Sequence, residues 1–118
     1  MQQLEQRQSA CLEVEWDRGP GVRVVTLRGE AGFRQSPRLG EALARVSARR
    51  PGFVLLDLAG LTFISSLAMG ELVRFQRALA RYGGRVVLVA VPPSIAGALR
   101  RARLDAVLDI RGASPEAV

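Results

Sequence analysis

The sequence contains no histidine, no lysine and only one cysteine, Cys11. Without histidine, and with a single thiol, the chain lacks the side chains that usually bind zinc or act as the base of a nucleophilic triad. The lack of lysine excludes Schiff-base chemistry, and neither a P-loop nor a dinucleotide-binding glycine motif occurs in a suitable context. We therefore expect that the chain is not an enzyme and that it uses no metal and no cofactor.

Long hydrophobic runs are also missing, since no apolar stretch approaches the roughly 20 residues that a membrane-spanning helix needs. Residues 1–9 are rich in glutamine and charge, which does not fit a signal peptide. One cysteine cannot form an intramolecular disulfide, as is typical of proteins in a reducing compartment. A length of 118 residues suits one domain. The sequence therefore predicts a single cytoplasmic domain without a membrane partner.

Positive charge is abundant, because all 17 basic residues are arginine and the formal net charge is +6. The arginines occur in every segment of the chain, and the few aromatic residues do not alternate with them as base-stacking side chains would. This distribution favours solvated helix faces, so we expect no nucleic-acid partner.

The most informative stretch runs from residue 53 to residue 82. It opens with an apolar run that ends near Asp57, is interrupted by Gly60 and then resumes. A strand without polar alternation is typical of a sheet that is covered on both faces. Ser65 and Ser66 follow, and after them apolar residues recur at helical spacing with arginines between them. The serine pair is therefore predicted at a strand-to-helix junction, at the sheet edge where α/β proteins collect binding sites.

The remaining segments predict alternating strands and helices. Two strands with a turn between them precede the central stretch, and Ser36-Pro37 has the composition of an N-cap followed by the first residue of a helix. Another strand begins at Arg85 and another helix at residues 92–94, while residues 104–110 fit either an edge strand or a helical turn. This order predicts an α/β fold with a mixed, mostly parallel sheet of four to five strands, flanked by about three to four helices.

Three polar residues of the central stretch have a structural and a functional interpretation each. Asp57 either caps backbone N–H groups after the strand or lies beside a phosphoryl group, and capping is the commoner role. Ser65 and Ser66 either cap the following helix or present a hydroxyl for regulation. A phosphate added there would meet the unpaired N–H groups of a helix N-terminus and bring about −1.5 to −2 charges. Spacing alone favours capping.

Short motifs occur at Gly29-Glu30, at residues 56–58 and 63–66, and at Gly70. Together with the order of the elements, they resemble the STAS domain, the fold of bacterial anti-sigma factor antagonists. Gly29-Glu30 is similar to the start of the family's G-E-L-D segment. Residues 56–58, with 63–66 and Gly70, are similar to its D-L…F-I-D-S-S-G-L-G signature, and Gly83-Gly84 and residues 104–108 also fit. The resemblance covers roughly residues 12–110 and implies a STAS-like single domain, which we place at residues 10–111. The polar composition of residues 1–9 and the lack of periodicity in residues 112–118 predict flexible tails there.

By this resemblance, Ser66 falls on the serine that a partner kinase phosphorylates, with Ser65 as the alternative acceptor. The implied function is partner switching in transcription regulation. The unmodified antagonist binds an anti-sigma factor serine kinase, phosphorylation breaks the complex, and a serine phosphatase restores it. The residues expected to bind the partner are Gly32, Phe33, Ser65, Ser66, Leu67 and Met69, and Asp57 is expected to have a structural role near the site.

The chain departs from the family pattern at three places: Ser65 stands where an aspartate is usual, residues 67–69 replace Ser-Gly-Leu, and residues 31–32 lack a carboxylate. These departures leave open a second function, that of a non-phosphorylated STAS scaffold or ligand-binding module in a multi-protein signalling complex. Leu67 and Met69 are likewise open, because their positions on the helix fit either partner contact or burial in the core.

Overall fold

The computed structural model describes residues 12–16 and 22–112, in which strands and helices alternate as the sequence predicts. The predicted tails and the first turn lie outside these residues, except that Gly112 is the last residue of a strand. None of the described helices is long and apolar enough to cross a bilayer. The elements are β1 Leu12–Trp16, β2 Val22–Ala31, α1 Ser36–Ala48, β3 Phe53–Ile64, α2 Ser66–Ala80, β4 Arg85–Val91, α3 Pro93–Arg101, the 3₁₀ helix η1 Leu104–Ala106, and β5 Asp109–Gly112.

The five strands form one sheet in sequential order, β1-β2-β3-β4-β5. β1 pairs with β2 antiparallel, and the other neighbours pair parallel. The described segment 104–112 thus contains both a helical turn and an edge strand. Because each parallel crossover moves to the next strand in the same direction, right-handed connections place α1, α2 and α3 on one face of the sheet. The predicted fold class is confirmed.

The core lies between this helical layer and the inward face of the sheet. Its inward strand side chains include Leu27, Val54, Leu56 and Leu88, which form one buried cluster with side chains of all three helices. The sequence predicted a sheet covered on both faces, which is wrong for the described residues. The alternate residues of β3, such as Leu55, are apolar but only half-buried, since no described helix packs against their face.

β3 continues through Gly60, where the sequence predicted an interruption. Two irregularities in its pairing with β2 absorb extra residues of β3, one between residues 57 and 60 and one at Thr62. The side chain of Asp57 accepts a hydrogen bond from the N–H of Ala59 at 2.9 Å, and Thr62 Oγ1 donates to the carbonyl of Gly29 at 3.0 Å. Local polar groups therefore support the strand at its bulges, and β3 extends to the sheet edge.

The start of α1 also differs from the prediction, because Gln35 and not Ser36 occupies the N-cap position. Ser36 is the first helical residue, and its hydroxyl donates a hydrogen bond to the carbonyl of Gly32 at 2.9 Å. The Gln35 side chain accepts a hydrogen bond from the Gly32 N–H at 3.1 Å. Ser36 resembles a cap by composition, but here its hydroxyl closes the preceding turn and does not cap the helix N–H groups.

Candidate functional site

The serine pair lies at the junction between β3 and α2, at the edge of the sheet where the parallel strands end. Ser65 is the N-cap of α2, and its hydroxyl accepts a hydrogen bond from the N–H of Ala68 at 3.2 Å. Its own N–H donates to the carbonyl of Ala31, at the end of β2, at 2.8 Å. The Ser65 residue is only 4% exposed. Ser65 therefore fixes the start of the helix to the neighbouring strand.

Ser66 is the first residue of α2, and it is exposed. Its hydroxyl has no hydrogen-bond partner among the residues that the structure describes. The N–H groups of Ala68 and Met69 are bonded to Ser65, whereas those of Ser66 and Leu67 have no partner in the described part of the chain. Two unpaired donors and the positive end of the helix dipole thus lie beside an accessible hydroxyl.

The turn after β2 lies next to the serine pair. Ala31 is paired with Ile64, so the turn that begins at Gly32 lies beside the junction that begins at Ser65. The turn is closed by a hydrogen bond from the Gln35 N–H to the Gly32 carbonyl at 3.2 Å, in addition to the two bonds described above. At its tip Phe33 is 62% exposed. A hydrogen-bonded turn therefore holds a phenyl ring in solvent beside Ser66.

Three large apolar side chains are exposed in this region. They belong to Phe33 in the turn, Phe63 near the end of β3 and Leu67 in the first turn of α2, with exposures of 62%, 51% and 56%. We call these three residues together with Ser66 the Ser66 surface. Exposed apolar residues that cluster around a polar centre are typical of protein contact sites.

Only the structure shows which apolar side chains of this region face solvent. The sequence grouped Phe63 with the buried run of β3, but the bulge at Thr62 shifts the alternation and turns Phe63 outward. A threonine between apolar residues was the one signal of this change. Of the two side chains left open, Leu67 faces solvent, while Met69 is half-buried and packs against the core.

Asp57 does not belong to the Ser66 surface. Its carboxylate is bonded to the N–H of Ala59, which is the capping interpretation of this residue. Asp57 is opposite Thr26 and Ile64 is opposite Ala31, five residues further along β2, which at about 3.3 Å per residue puts Asp57 roughly 17 Å along the strand from the end of β3. Within residues 12–16 and 22–112, no cluster of acidic, thiol or imidazole side chains could hold a metal ion.

A groove of about 160 Å³ lies between α1 and α2, away from the Ser66 surface. Its walls include Leu43 and Phe75, and Glu71 and Arg74 contribute the charged part of its lining. None of the residues that the sequence singled out lines this groove.

Comparison with known proteins agrees with the fold described above. An anti-sigma factor antagonist from Mycobacterium paratuberculosis superposes with a TM-score of 0.77 at 20% identity, covering 90% of this chain and 89% of that one. SpoIIAA from Bacillus in its phosphorylated form gives 0.64 at 17% identity, covering 90% and 94%. A sulfate transporter family protein from Wolinella succinogenes gives 0.66 at 24% identity, covering 79% and 78%. At these identities the likeness is one of fold.

Curated protein sequences give no match. The family model of the STAS domain, however, matches residues 13–117, which is most of the chain. The chain therefore belongs to the STAS domain family.

Proposed function

We propose that this STAS domain is an anti-sigma factor antagonist that works by partner switching. In its unmodified form it binds an anti-sigma factor serine kinase through the Ser66 surface. The kinase phosphorylates Ser66, the complex dissociates, and a serine phosphatase returns the domain to its binding form. The observation that carries the proposal is the contrast between two adjacent hydroxyls, one buried and bonded, the other exposed and unbonded.

Ser66 is the better acceptor because a kinase must reach the hydroxyl and remove its proton. The hydroxyl of Ser65 accepts the cap hydrogen bond and is almost fully covered, so phosphorylating it would first require the end of α2 to open. Ser66 needs no such opening. We therefore assign Ser66 as the acceptor and Ser65 as the residue that positions it.

The apolar part of the surface provides the affinity in this proposal. Phe33, Phe63 and Leu67 are each more than half exposed, and burying one such side chain contributes roughly 1.5–3 kcal/mol. Binding energy in protein interfaces is concentrated in a few residues of this kind, surrounded by contacts that exclude water. The hydroxyl of Ser66 would lie among these contacts.

Phosphorylation can release such a complex only through the interface itself. Changing a complex from mostly bound to mostly free needs a differential of about 5.5 kcal/mol. The helix dipole acting on a surface charge contributes about 0.3–1 kcal/mol, which is far too little. Desolvation of a dianion among apolar side chains, together with its added volume, is large enough. The switch therefore requires that Ser66 is covered by the partner.

A second candidate is a scaffold or ligand-binding STAS module that is never phosphorylated. The serine at position 65 favours it, because this residue already caps α2 without a carboxylate, whereas an aspartate is usual there in the antagonists that the chain resembles. In that function the serine pair would serve the helix alone, and the partner would still dock on Phe33, Phe63 and Leu67.

The two candidates are distinguished by incubating the purified domain with candidate anti-sigma factor kinases and ATP, followed by mass spectrometry of the labelled site. Partner switching predicts label on Ser66, no label in Ser66→Ala, and unchanged label in Ser94→Ala. Ser94 is a suitable control because it is also exposed in the first turn of a helix, α3. Absence of label with every kinase that binds the domain would favour the scaffold function.

Binding measurements test the surface separately from the chemistry. Leu67→Ala and Phe63→Ala are expected to weaken kinase binding by about tenfold each, the effect of losing roughly 1.4 kcal/mol. Val107→Ala is the matched control, because Val107 is 45% exposed and lies outside the Ser66 surface. Ser66→Asp is expected to abolish binding. Equal affinities for all four variants would place the contact surface elsewhere.

A further inference from the structure

The face of the sheet opposite the helices is apolar along its centre. Residues on it are recognised by alternation and pairing: Val24 pairs with Leu55, which pairs with Val87, and none of the three points toward the helical layer. On β2 and β3 the apolar strip ends at Thr26 and Asp57, on the side of the strands' carboxyl ends, and on β4 it includes Val89, the partner of Asp57. We call this strip the open sheet face, and its residues are Val22, Val24, Phe53, Leu55, Val87 and Val89. Val22 at its end is 46% exposed, Val87 at its centre is only 6% exposed, and the other four are half-buried.

Both edges of the open sheet face are charged. On the β1 edge, Arg28 contacts Glu15 at 3.2 Å and Glu13 at 3.9 Å, which leaves one negative charge in excess. On the β5 edge, Asp109 contacts Arg111 at 2.7 Å and Arg85 at 3.0 Å, which leaves one positive charge in excess. The two edges are therefore complementary to each other.

The rest of the charge is distributed between the layers very unequally. Although the arginines occur in every segment of the sequence, eleven of the fifteen described ones lie in the helices and the turns next to them, where three carboxylates oppose them. The described strands carry four arginines and five carboxylates. Two copies of the chain would repel each other through their helical layers, whereas their sheets are close to neutral.

We propose that the open sheet face is the contact between two copies of this chain. A twofold axis parallel to the strands places the β1 edge of one copy against the β5 edge of the other, so that the two excess charges meet. Glu15 and Arg111 lie at about the same level along the strands. Across the sheet, Glu15 is on the level of Val89, through the pairs with Thr26 and Asp57. Val89 is two residues beyond Val87, the partner of Asp109, and Arg111 is two residues beyond Asp109. A twofold axis perpendicular to the strands would instead place the two β1 edges against each other and the two β5 edges against each other, so that like charges would meet.

The size of the face sets the strength of the dimer. Five strands about 4.8 Å apart, with roughly six residues each at about 3.3 Å, present roughly 500 Å² per copy. A total of about 1,000 Å² is at the low end for specific interfaces, so the dimer is weak. Because the axis runs parallel to the strands, both Ser66 surfaces lie at the same end of the dimer and stay uncovered, available to a bivalent partner.

Sedimentation of the unmodified chain up to several hundred micromolar tests the association. The expected result is a weight-average mass that rises with concentration from 12.8 kDa toward twice that value. Val22→Glu is expected to raise the dissociation constant at least about tenfold. Val107→Glu, which also places a charge at an exposed valine, is the matched control and should leave association unchanged. A chain that remains monomeric throughout overturns the proposal.

Disulfide trapping tests the arrangement. In a Cys11→Ser background, a mixture of Glu15→Cys and Arg111→Cys chains is expected to cross-link much faster than either chain alone. Faster cross-linking of Glu15→Cys with itself overturns the proposed axis. Nuclear Overhauser contacts from residues 1–11 or 113–118 to the side chains of Val22 and Leu55 in a strictly monomeric sample would overturn the dimer. Ser66→Ala should dimerise normally, so this result is independent of partner switching.

Discussion

Replacing Ser65 with alanine should destabilise the domain, whereas the same change at Ser66 should not. The Ser65 hydroxyl accepts the N–H of Ala68 at 3.2 Å, and Ser65 and Ala68 are both buried. Loss of an N-cap costs about 0.5–2 kcal/mol, and the upper half applies here because no water replaces the lost acceptor. For a chain of this length, about 1–2 kcal/mol lowers Tm by roughly 4–8 °C.

The assay is thermal or urea unfolding followed by circular dichroism, with Ser66→Ala as the neighbouring control. Because the Ser66 hydroxyl is exposed and unbonded, its removal should change the free energy of unfolding by less than about 0.5 kcal/mol. Ser65→Asp should lose less than Ser65→Ala, since aspartate is as good an N-cap as serine. If Ser65→Ala and Ser66→Ala prove equally stable, the division of roles between the two hydroxyls is refuted.

Three further predictions concern the framework that holds the site. Leu56→Ala should lower the free energy of unfolding by about 2–5 kcal/mol in urea titrations, because Leu56 is fully buried in the central strand. Gly40→Ala should raise the free energy of unfolding by up to about 1 kcal/mol, since the three atoms nearest to the added Cβ all belong to the carboxylate end of the Glu71 side chain, which can rotate away. A loss of stability that Glu71→Ala does not relieve would contradict this. The hydrogen bond from Arg111, with a smaller effect of Arg85, holds the pKa of Asp109 below its usual value. The folded state therefore binds fewer protons than the unfolded state as the pH falls, so the stabilisation by the Asp109 ion pairs is complete above about pH 4 and is lost at lower pH. Asp109→Asn should lower the free energy of unfolding by less than about 1 kcal/mol at pH 7 and leave it unchanged near pH 2.

The order of the elements and the position of the serine pair could be predicted because both depend on local patterns. The period of the apolar residues distinguishes strands from helices, and glycine and proline mark the boundaries. A strand-to-helix junction in a parallel sheet lies at a defined edge whatever the rest of the chain does. Ser65 and Ser66 were therefore placed correctly before their environments were known.

The predictions that failed depended on contacts that residue type alone does not show, either within a turn or with a neighbouring strand. Ser36 has the composition of an N-cap, but the carbonyl of Gly32 takes its hydroxyl. Gly60 looks like a strand end, but pairing with β2 and the Asp57 side chain carry the strand through it. Phe63 looks buried, but the bulge at Thr62 turns it outward.

The sequence by itself determined the α/β alternation, the mostly parallel sheet and a serine pair at the start of α2, because the spacing of apolar residues and the turn residues are properties of short segments. Only the tertiary structure decided which serine is covered, which apolar side chains surround the other, and that one face of the sheet is without helices in the described chain. Those features follow from strand order and register, and register is a relation between segments far apart in the sequence.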